Sequence, residues 1–227
     1  MMKQKIIGGW KGLKKQKLIK DENNCTKKKE WRCKKMKHCG TKTIETDRLI
    51  LRRFKNEDSK NMFKNWASDP EVTRYLTWPA HSDIGITEFI LSDWIKSYEK
   101  DDFYNWAIEL KEIGEVIGNI SSVGNNDTVM KVHIGYCIGK EWWNKGIMSE
   151  ALKAVIDYFF TEVEVNRVEA RHDVNNPGSG KVMQKCGMIY EGTLRQYDKN
   201  NLGIGDTAYY GILKSDWEKN KGESING

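Results

Sequence analysis

A chain of 227 residues can bury one sizeable core and still carry an appendage. Its net charge of +6 is unevenly placed, because residues 1–40 carry 14 Lys/Arg against 3 Asp/Glu and the other 187 carry 24 against 29. An acidic body suits an amine-bearing substrate better than nucleic acid, and no run of about eighteen apolar residues offers a membrane span. Five cysteines, with no secretory signal in view, point to free thiols in a reducing cytoplasm.

Residues 1–42 read as a basic extension. Ile6, Ile7, Trp10, Leu13, Leu18 and Ile19 allow at most a short amphipathic helix. Flexibility, or docking on an acidic partner such as nucleic acid or the ribosome, is the expectation. Cys25, Cys33, His38 and Cys39 lack the paired Cys-x2–4-Cys knuckle of structural zinc, so no metal is expected. Met36 offers an alternative start for the functional protein.

From 43 to 217 the pattern is that of one α/β domain, and 218–227 read as a flexible tail. Thr46 to Phe54 predicts a strand. Glu57 to Ser68 predicts a helix with Met62, Phe63 and Trp66 on one face, ended before Asp69-Pro70. A loop with Tyr75, Leu76, Trp78 and Pro79 leads to a second helix, from about Asp83 to Lys100. Phe103 to Lys111 and Glu115 to Val123 predict a hairpin through Glu112-Ile113-Gly114, followed by a turn at Asn125-Asn126-Asp127. Met130 to Ile138 predicts the next strand. Ile147, Ala151, Leu152, Val155, Ile156, Phe159 and Phe160 then recur at helical spacing, a core-facing helix to about Phe160. Arg167 to Val174 predicts a strand, and Asn176-Pro177-Gly178-Ser179 opens a short helix that stops at Cys186-Gly187. Met188 to Gln196 and Thr207 to Leu213 close as an antiparallel pair across Asn200-Asn201-Leu202-Gly203.

The most informative stretch is Trp142-Trp143-Asn144-Lys145-Gly146-Ile147-Met148-Ser149, which leaves a strand and opens a helix. The first amides of a helix have no partner within it, and the aligned peptide dipoles concentrate positive charge there. Phosphate or pyrophosphate fills such a site without any special side chain. Gly146 allows close approach of the backbone, and Asn144 tolerates a left-handed turn.

In order along roughly residues 43–217 stand Thr46-Asp47-Arg48-Leu49-Ile50-Leu51-Arg52, Ile134-Gly135-Tyr136 and Trp143-Asn144-Lys145-Gly146-Ile147-Met148. Asn176-Pro177-Gly178-Ser179 with Cys186-Gly187-Met188, and Glu191-Gly192-Thr193-Leu194-Arg195, follow them. This ordered set resembles the GNAT acetyltransferase superfamily, in its ribosomal-protein N-acetyltransferase (RimJ/RimL-like) branch. The resemblance implies the acyl-CoA N-acyltransferase fold, a mixed, mostly antiparallel sheet splayed at its centre and flanked by helices. It implies acetyl-CoA in the cleft, with pyrophosphate on the amides of Trp143 to Ser149 and the pantetheine arm along Tyr136, Cys137 and Ile138. Asn176 and Ser179 resemble residues that contact the arm. The chain departs from the family where the usual Gln/Arg-x-x-Gly-x-Gly/Ala loop has Trp143 and Met148 at its outer positions. Met183 stands where a tyrosine often acts as general acid, which leaves Ser179 as the candidate for that role.

Acetyl transfer from a thioester needs a neutral amine, an oxyanion donor and a proton for the departing thiolate. A terminal α-amine titrates near 8 and a lysine amine near 10, so a base or water relay helps at neutral pH. His133, on the strand entering the site, is a candidate base, with a structural histidine as the alternative. Asp198, in the C-terminal turn region, is a second candidate or else an exposed turn carboxylate. Asn176 is equally suited to a helix N-cap, Ser179 to an ordinary first turn, and Cys137 to buried filler rather than an acyl-cysteine. Tyr75, Trp78, Tyr104 and Trp106 are candidate walls of the acceptor pocket. The expected partners are acetyl-CoA and an amine acceptor, a ribosomal-protein N-terminus or a small amine, in a monomer or homodimer. The competing expectation is a non-catalytic acyl-CoA-binding or nucleic-acid-associated module that uses the basic tail.

Overall fold

The computed structural model describes residues 35–225. Eight strands form one sheet, in the order β1-β2-β3-β4-β5-β6-β8-β7. They are β1 (Ile44–Glu45), β2 (Leu49–Arg52), β3 (Asn105–Leu110), β4 (Glu115–Asn126), β5 (Lys131–Ile138), β6 (Arg167–Asp173), β7 (Ile189–Asn200) and β8 (Gly203–Leu213). All neighbours are antiparallel except β5 and β6. A parallel pair needs a long crossover, which here contains the 15-residue helix Ile147–Thr161.

Both faces of the sheet are covered at β3, whereas β7 at the edge is largely exposed. On β3, Trp106 and Ile108 belong to the larger apolar cluster, whereas Ala107 between them belongs to the smaller. That is the two-residue period of a strand buried on both sides. The larger cluster packs the sheet against the long helix through Tyr104, Trp106, Tyr158 and Phe159. The smaller gathers Phe54, Met62, Trp66, Leu91 and Tyr98 under the helices that follow β2.

In chain order the helices are α1 (Ser59–Met62), α2 (Pro70–Thr73), α3 (Ile84–Ser97), α4 (Ile147–Thr161), α5 (Pro177–Lys185) and α6 (Lys214–Ile225). None among the described residues is long and apolar enough to cross a membrane.

Several expectations are corrected. The helix expected over 57–68 is composite: a 3-10 turn at Asn56–Asp58, then α1, then a π turn at Phe63–Ala67. Ser68 closes that π turn by bonding back to the Phe63 carbonyl through both its amide and its hydroxyl. Strand β4 runs on through Asn125 and Asn126, and the turn falls later, with Met130 in the left-handed region at φ 51°. β7 and β8 extend to meet at the Asn200–Gly203 turn. The expected flexible tail from 218 is largely part of α6, held by Trp217, whose ring packs on Phe160 and whose indole N–H bonds Asp157.

The compact unit also begins earlier than residue 43, at Lys35. Met36 and Thr41 are buried, and Thr41 bonds both Phe103 and Asn105. The Trp106 indole donates to the Lys42 carbonyl, and the Tyr158 hydroxyl to that of Gly40. The expectations for residues 1–34, Cys25 and Cys33 among them, lie outside the described residues. His38 and Cys39 are engaged with Tyr104, Asp127 and Tyr158.

Candidate active site

The loop between β5 and α4 makes a single 3-10 turn, Lys140–Trp142, and the Trp143 indole N–H anchors to the Ile138 carbonyl at 2.9 Å. Asn144 (φ 59°) and Gly146 (φ 73°) are both left-handed, and Gly146 is the N-cap of α4. Glycine has no side chain with which to cap. The first amide of this helix to bond back is that of Glu150, to the Gly146 carbonyl at 3.1 Å. Among the described residues none caps the amides of Ile147, Met148 and Ser149, so the dipole end of α4 is open. The acidic group of that first turn is drawn away, because Glu150 accepts from Thr46 Oγ1 (2.6 Å) and from Arg48 N (3.0 Å) and Nε (2.7 Å). Arg48 also donates to the Lys145 carbonyl at 3.1 Å.

These amides face a split in the sheet. The β5–β6 register runs from Lys131↔Arg167 to Ile134↔Ala170 and stops. Beyond it Gly135 to Ile138 pair only with β4, and Arg171 to Asp173 only with β8. A cleft of about 510 Å³ opens there, walled by Tyr136, Cys137 and Ile138, by Trp143, Asn144 and Gly146 to Ser149, and by Asn176 and Ser179. Of the expected cofactor residues, Lys145 alone is not on its wall.

The far wall is fastened to β5 by the Tyr136 hydroxyl, which donates to the Ser179 carbonyl at 2.9 Å and whose pKa burial raises well above the usual phenol range. Asn176 occupies the N-cap position of α5, but its side chain caps no backbone amide. Its Nδ2 donates to Ser179 Oγ at 3.2 Å instead, which leaves the serine's own hydrogen for another acceptor. Cys137 donates its thiol to Asn119 Oδ1 at 2.9 Å, and burial pushes that thiol up to about 12.

A smaller cavity of about 260 Å³ lies against the same split and shares Ile134 to Cys137 with the cleft. Tyr75, Trp78, His133 and Asp198 line it. Tyr104 and Trp106 do not: they are 1% and 0% exposed, stacked on each other and edge-on to Phe159. Trp106 on the doubly covered β3, and Tyr104 just ahead of it, both turn their rings into the core. Asn201, at the hairpin tip, donates to the Thr73 and Trp78 carbonyls at 2.8 Å each and so fixes the Tyr75–Trp78 segment over the cavity.

His133 stands opposite Glu169 in the parallel register. Its Nδ1 lies 3.3 Å from Glu169 Oε1, and Lys131 Nζ (2.7 Å) and Arg167 Nε (3.0 Å) also donate to this carboxylate. The hydrogen bond from His133 above all, with those from Lys131 and Arg167, holds the Glu169 carboxyl far below the ordinary range against the opposing effect of burial. An ionised carboxylate only accepts. Nδ1 of His133 therefore carries a hydrogen, which in the neutral form of the ring places the lone pair on Nε2. Asp198 is not a free turn carboxylate: Oδ2 meets Arg171 Nε at 2.8 Å and Oδ1 accepts from the Lys199 amide at 3.0 Å.

Residues 48–189 match the acetyltransferase (GNAT) domain. The chain belongs to the GNAT acetyltransferase family. It is 31% identical over 77% of its length to 98% of an uncharacterised N-acetyltransferase, p20, of Bacillus licheniformis. It is 27% identical over 77% of its length to 92% of the ribosomal protein uS5 alanine N-acetyltransferase of Escherichia coli. Among solved structures, a GNAT acetyltransferase from Bacillus anthracis superposes with a TM-score of 0.68, at 25% identity, over 77% of this chain and 99% of its own.

As a GNAT acetyltransferase it uses acetyl-CoA. The residues present fit that coenzyme. Open amides stand at the end of a groove with one unpaired strand edge, and the departures from the GNAT loop, Trp143 and Met148, leave those amides uncapped. Met183, where the resemblance led us to look for a tyrosine, is 1% exposed and serves the core. The residue that sequence reasoning missed is Glu169. A glutamate between Val168 and Ala170 on a buried strand is a local signal, but its pairing with His133 comes from a parallel register between strands joined by a crossover.

Proposed function

We propose that this chain transfers acetyl from acetyl-CoA to a primary amine by direct attack with both substrates bound, and that the acceptor is a protein N-terminal α-amine. The observation that carries the reading is the sheet split, which has open helix amides at one end and the His133–Glu169 pair on its other side. The coenzyme supplies an activated acetyl thioester. The amides of Ile147 to Ser149 hold its pyrophosphate, and the bare edge of Gly135 to Ile138 guides its arm.

Tyr75 and Trp78 wall the entry of the amine. His133 Nε2 takes a proton from it, and Glu169 balances the charge that then forms on the ring. The Ser179 hydroxyl, oriented by Asn176, offers its hydrogen to the departing sulfur. A protonated Cys137 at neutral pH supports direct attack over an acyl-cysteine route. The α-amine reading is supported by the name of the Escherichia coli relative and by the modest basicity such a base must overcome.

Two measurements test this. Acetyl-CoA at a hundred times its Kd should add about 2.7 kcal/mol of stability in thermal melts, and no shift at saturating coenzyme removes the site assignment. CoA release should be fastest with short peptides bearing a free N-terminal alanine or serine. Release with polyamines or aminoglycosides but not with peptides reassigns the acceptor to small amines.

A further inference from the structure

Arg171 is the first residue of β6 beyond the last β5–β6 pair, Ile134↔Ala170. One step further the register would have set it opposite Gly135, which has no side chain to cover it. The two-residue period of the strand puts Arg171 on the face of Glu169, and so on the side of His133. It lines the cleft and the smaller cavity alike. The Tyr209 ring links the two side chains: it stands edge-on to the His133 ring at 6.2 Å, and its centroid is 6.0 Å from the Arg171 guanidinium carbon.

Asp198 Oδ2 meets Arg171 Nε at 2.8 Å, and Nη1 donates to the Tyr209 hydroxyl at 3.2 Å. Among the described residues no group accepts from Nη2, and the side chain is 35% exposed. The pairing with Asp198 has two effects. It fixes the plane of the guanidinium, and it cancels a charge that would otherwise repel an ammonium approaching His133. A fixed guanidinium edge with unused N–H groups suits a carbonyl or carboxylate oxygen. Nitrogen at His133 and oxygen at Arg171 is the pattern of an α-aminoacyl group, whose carbonyl carbon is two bonds from the amine. The ε-amine of lysine, a polyamine and an aminoglycoside carry no carbonyl there.

We propose that Arg171 selects α-amines, because its Nη2 donates to the carbonyl oxygen of the acceptor's first residue while His133 Nε2 faces the amine. The inference rests on the α-amine reading above. The test is steady-state kinetics of the full chain with acetyl-CoA and two acceptors, alaninamide and isopropylamine, the second being the first without its carboxamide. Arg171→Met removes every donor, whereas Arg171→Lys keeps a cation beside Asp198. The melting temperature and acetyl-CoA affinity of each variant are measured alongside.

The acceptors differ in basicity but the difference is the same for every variant, so the ratio of their kcat/KM values is the readout. Arg171→Met should lower the preference for alaninamide about tenfold or more, through a raised KM, as loss of one charge-assisted hydrogen bond implies. Arg171→Lys, a point charge in place of a planar fork, should lower it about threefold or more. An unchanged ratio in Arg171→Met, or in Arg171→Lys should the methionine variant not fold, overturns the proposal. Equal loss for both acceptors assigns the arginine to holding β7 through Asp198 and overturns it too. A wild type that acetylates isopropylamine but not alaninamide, or neither, overturns the α-amine reading first.

Discussion

His133 and Glu169 are joined by register, and each makes a separate prediction. If Nε2 of His133 is the base, His133→Gln lowers kcat by roughly 10²-fold or more and removes the acidic limb of the pH–rate profile. An unchanged profile moves the role to Asp198 or to water. Glu169 is depressed in the fold, foremost by its bond from His133, so its stabilisation is full above the unfolded carboxylate range near 4.5 and fades as pH falls below it. Glu169→Gln should therefore cost about 1–3 kcal/mol at pH 7, where Lys131 loses its carboxylate while Arg167 keeps Glu191. Urea unfolding at descending pH should show the gap between variant and wild type closing. Cys137, with its thiol pushed up to about 12, should carry no acetyl group in protein quenched after mixing with acetyl-CoA alone. His133 was legible as a residue type suited to proton transfer, whereas the tautomer that makes it a base was not, because that depends on a carboxylate 36 residues away.

At the scale of elements, the glycine loop behaves as its sequence reads. Gly146 sits at φ 73°, and an added Cβ there meets nothing nearer than the Arg48 guanidinium at 3.7 Å. The cost of Gly146→Ala is then conformational, about 1 kcal/mol. The variant should melt lower and bind acetyl-CoA more weakly, because the first amides of α4 lose their aim. A variant with unaltered affinity separates the loop from the anion site. Gly180 makes the opposite point. A Cβ there would come within 2.6 Å of His172 Nε2, so any side chain at this position displaces the His172 ring from its place between α5 and β6. Helical spacing foretold α4, and caps foretold α5. The π turn at Phe63–Ala67 and the helix α6 escaped notice, since both depend on tertiary partners and α6 is polar apart from Trp217 and Ile225.

For the whole molecule the decisive question is where the folded unit starts. Removal of residues 1–34 is expected to leave the melting temperature and the acetyl-CoA affinity unchanged. A cut that continues through Lys42 strips the partners of the Trp106 indole, the Asn105 amide and the Tyr158 hydroxyl. Each buried group so orphaned costs about 1–3 kcal/mol, and together they should abolish cooperative unfolding in calorimetry. Wild-type stability in the shorter chain would return the boundary to residue 43. Composition shifts marked a basic extension but wrongly gave it Lys35 to Lys42, because these eight residues are held by individual contacts, most of them to residues 60 or more positions away, and not by any periodic pattern.

The sequence alone determined what is encoded locally: the order of the longer strands and helices from Leu49 to Leu213, the left-handed turn at Asn144 and Gly146, the open helix start, and a family pattern short in each piece but ordered along the chain. Only the tertiary structure decided which strands part beyond Ile134 and Ala170, which carboxylate orients His133, and that Tyr104 and Trp106 belong to the core and not to the acceptor pocket. Local signals follow from backbone geometry within a few residues, whereas a splayed sheet and a buried charge cluster exist only once distant strands have chosen their neighbours.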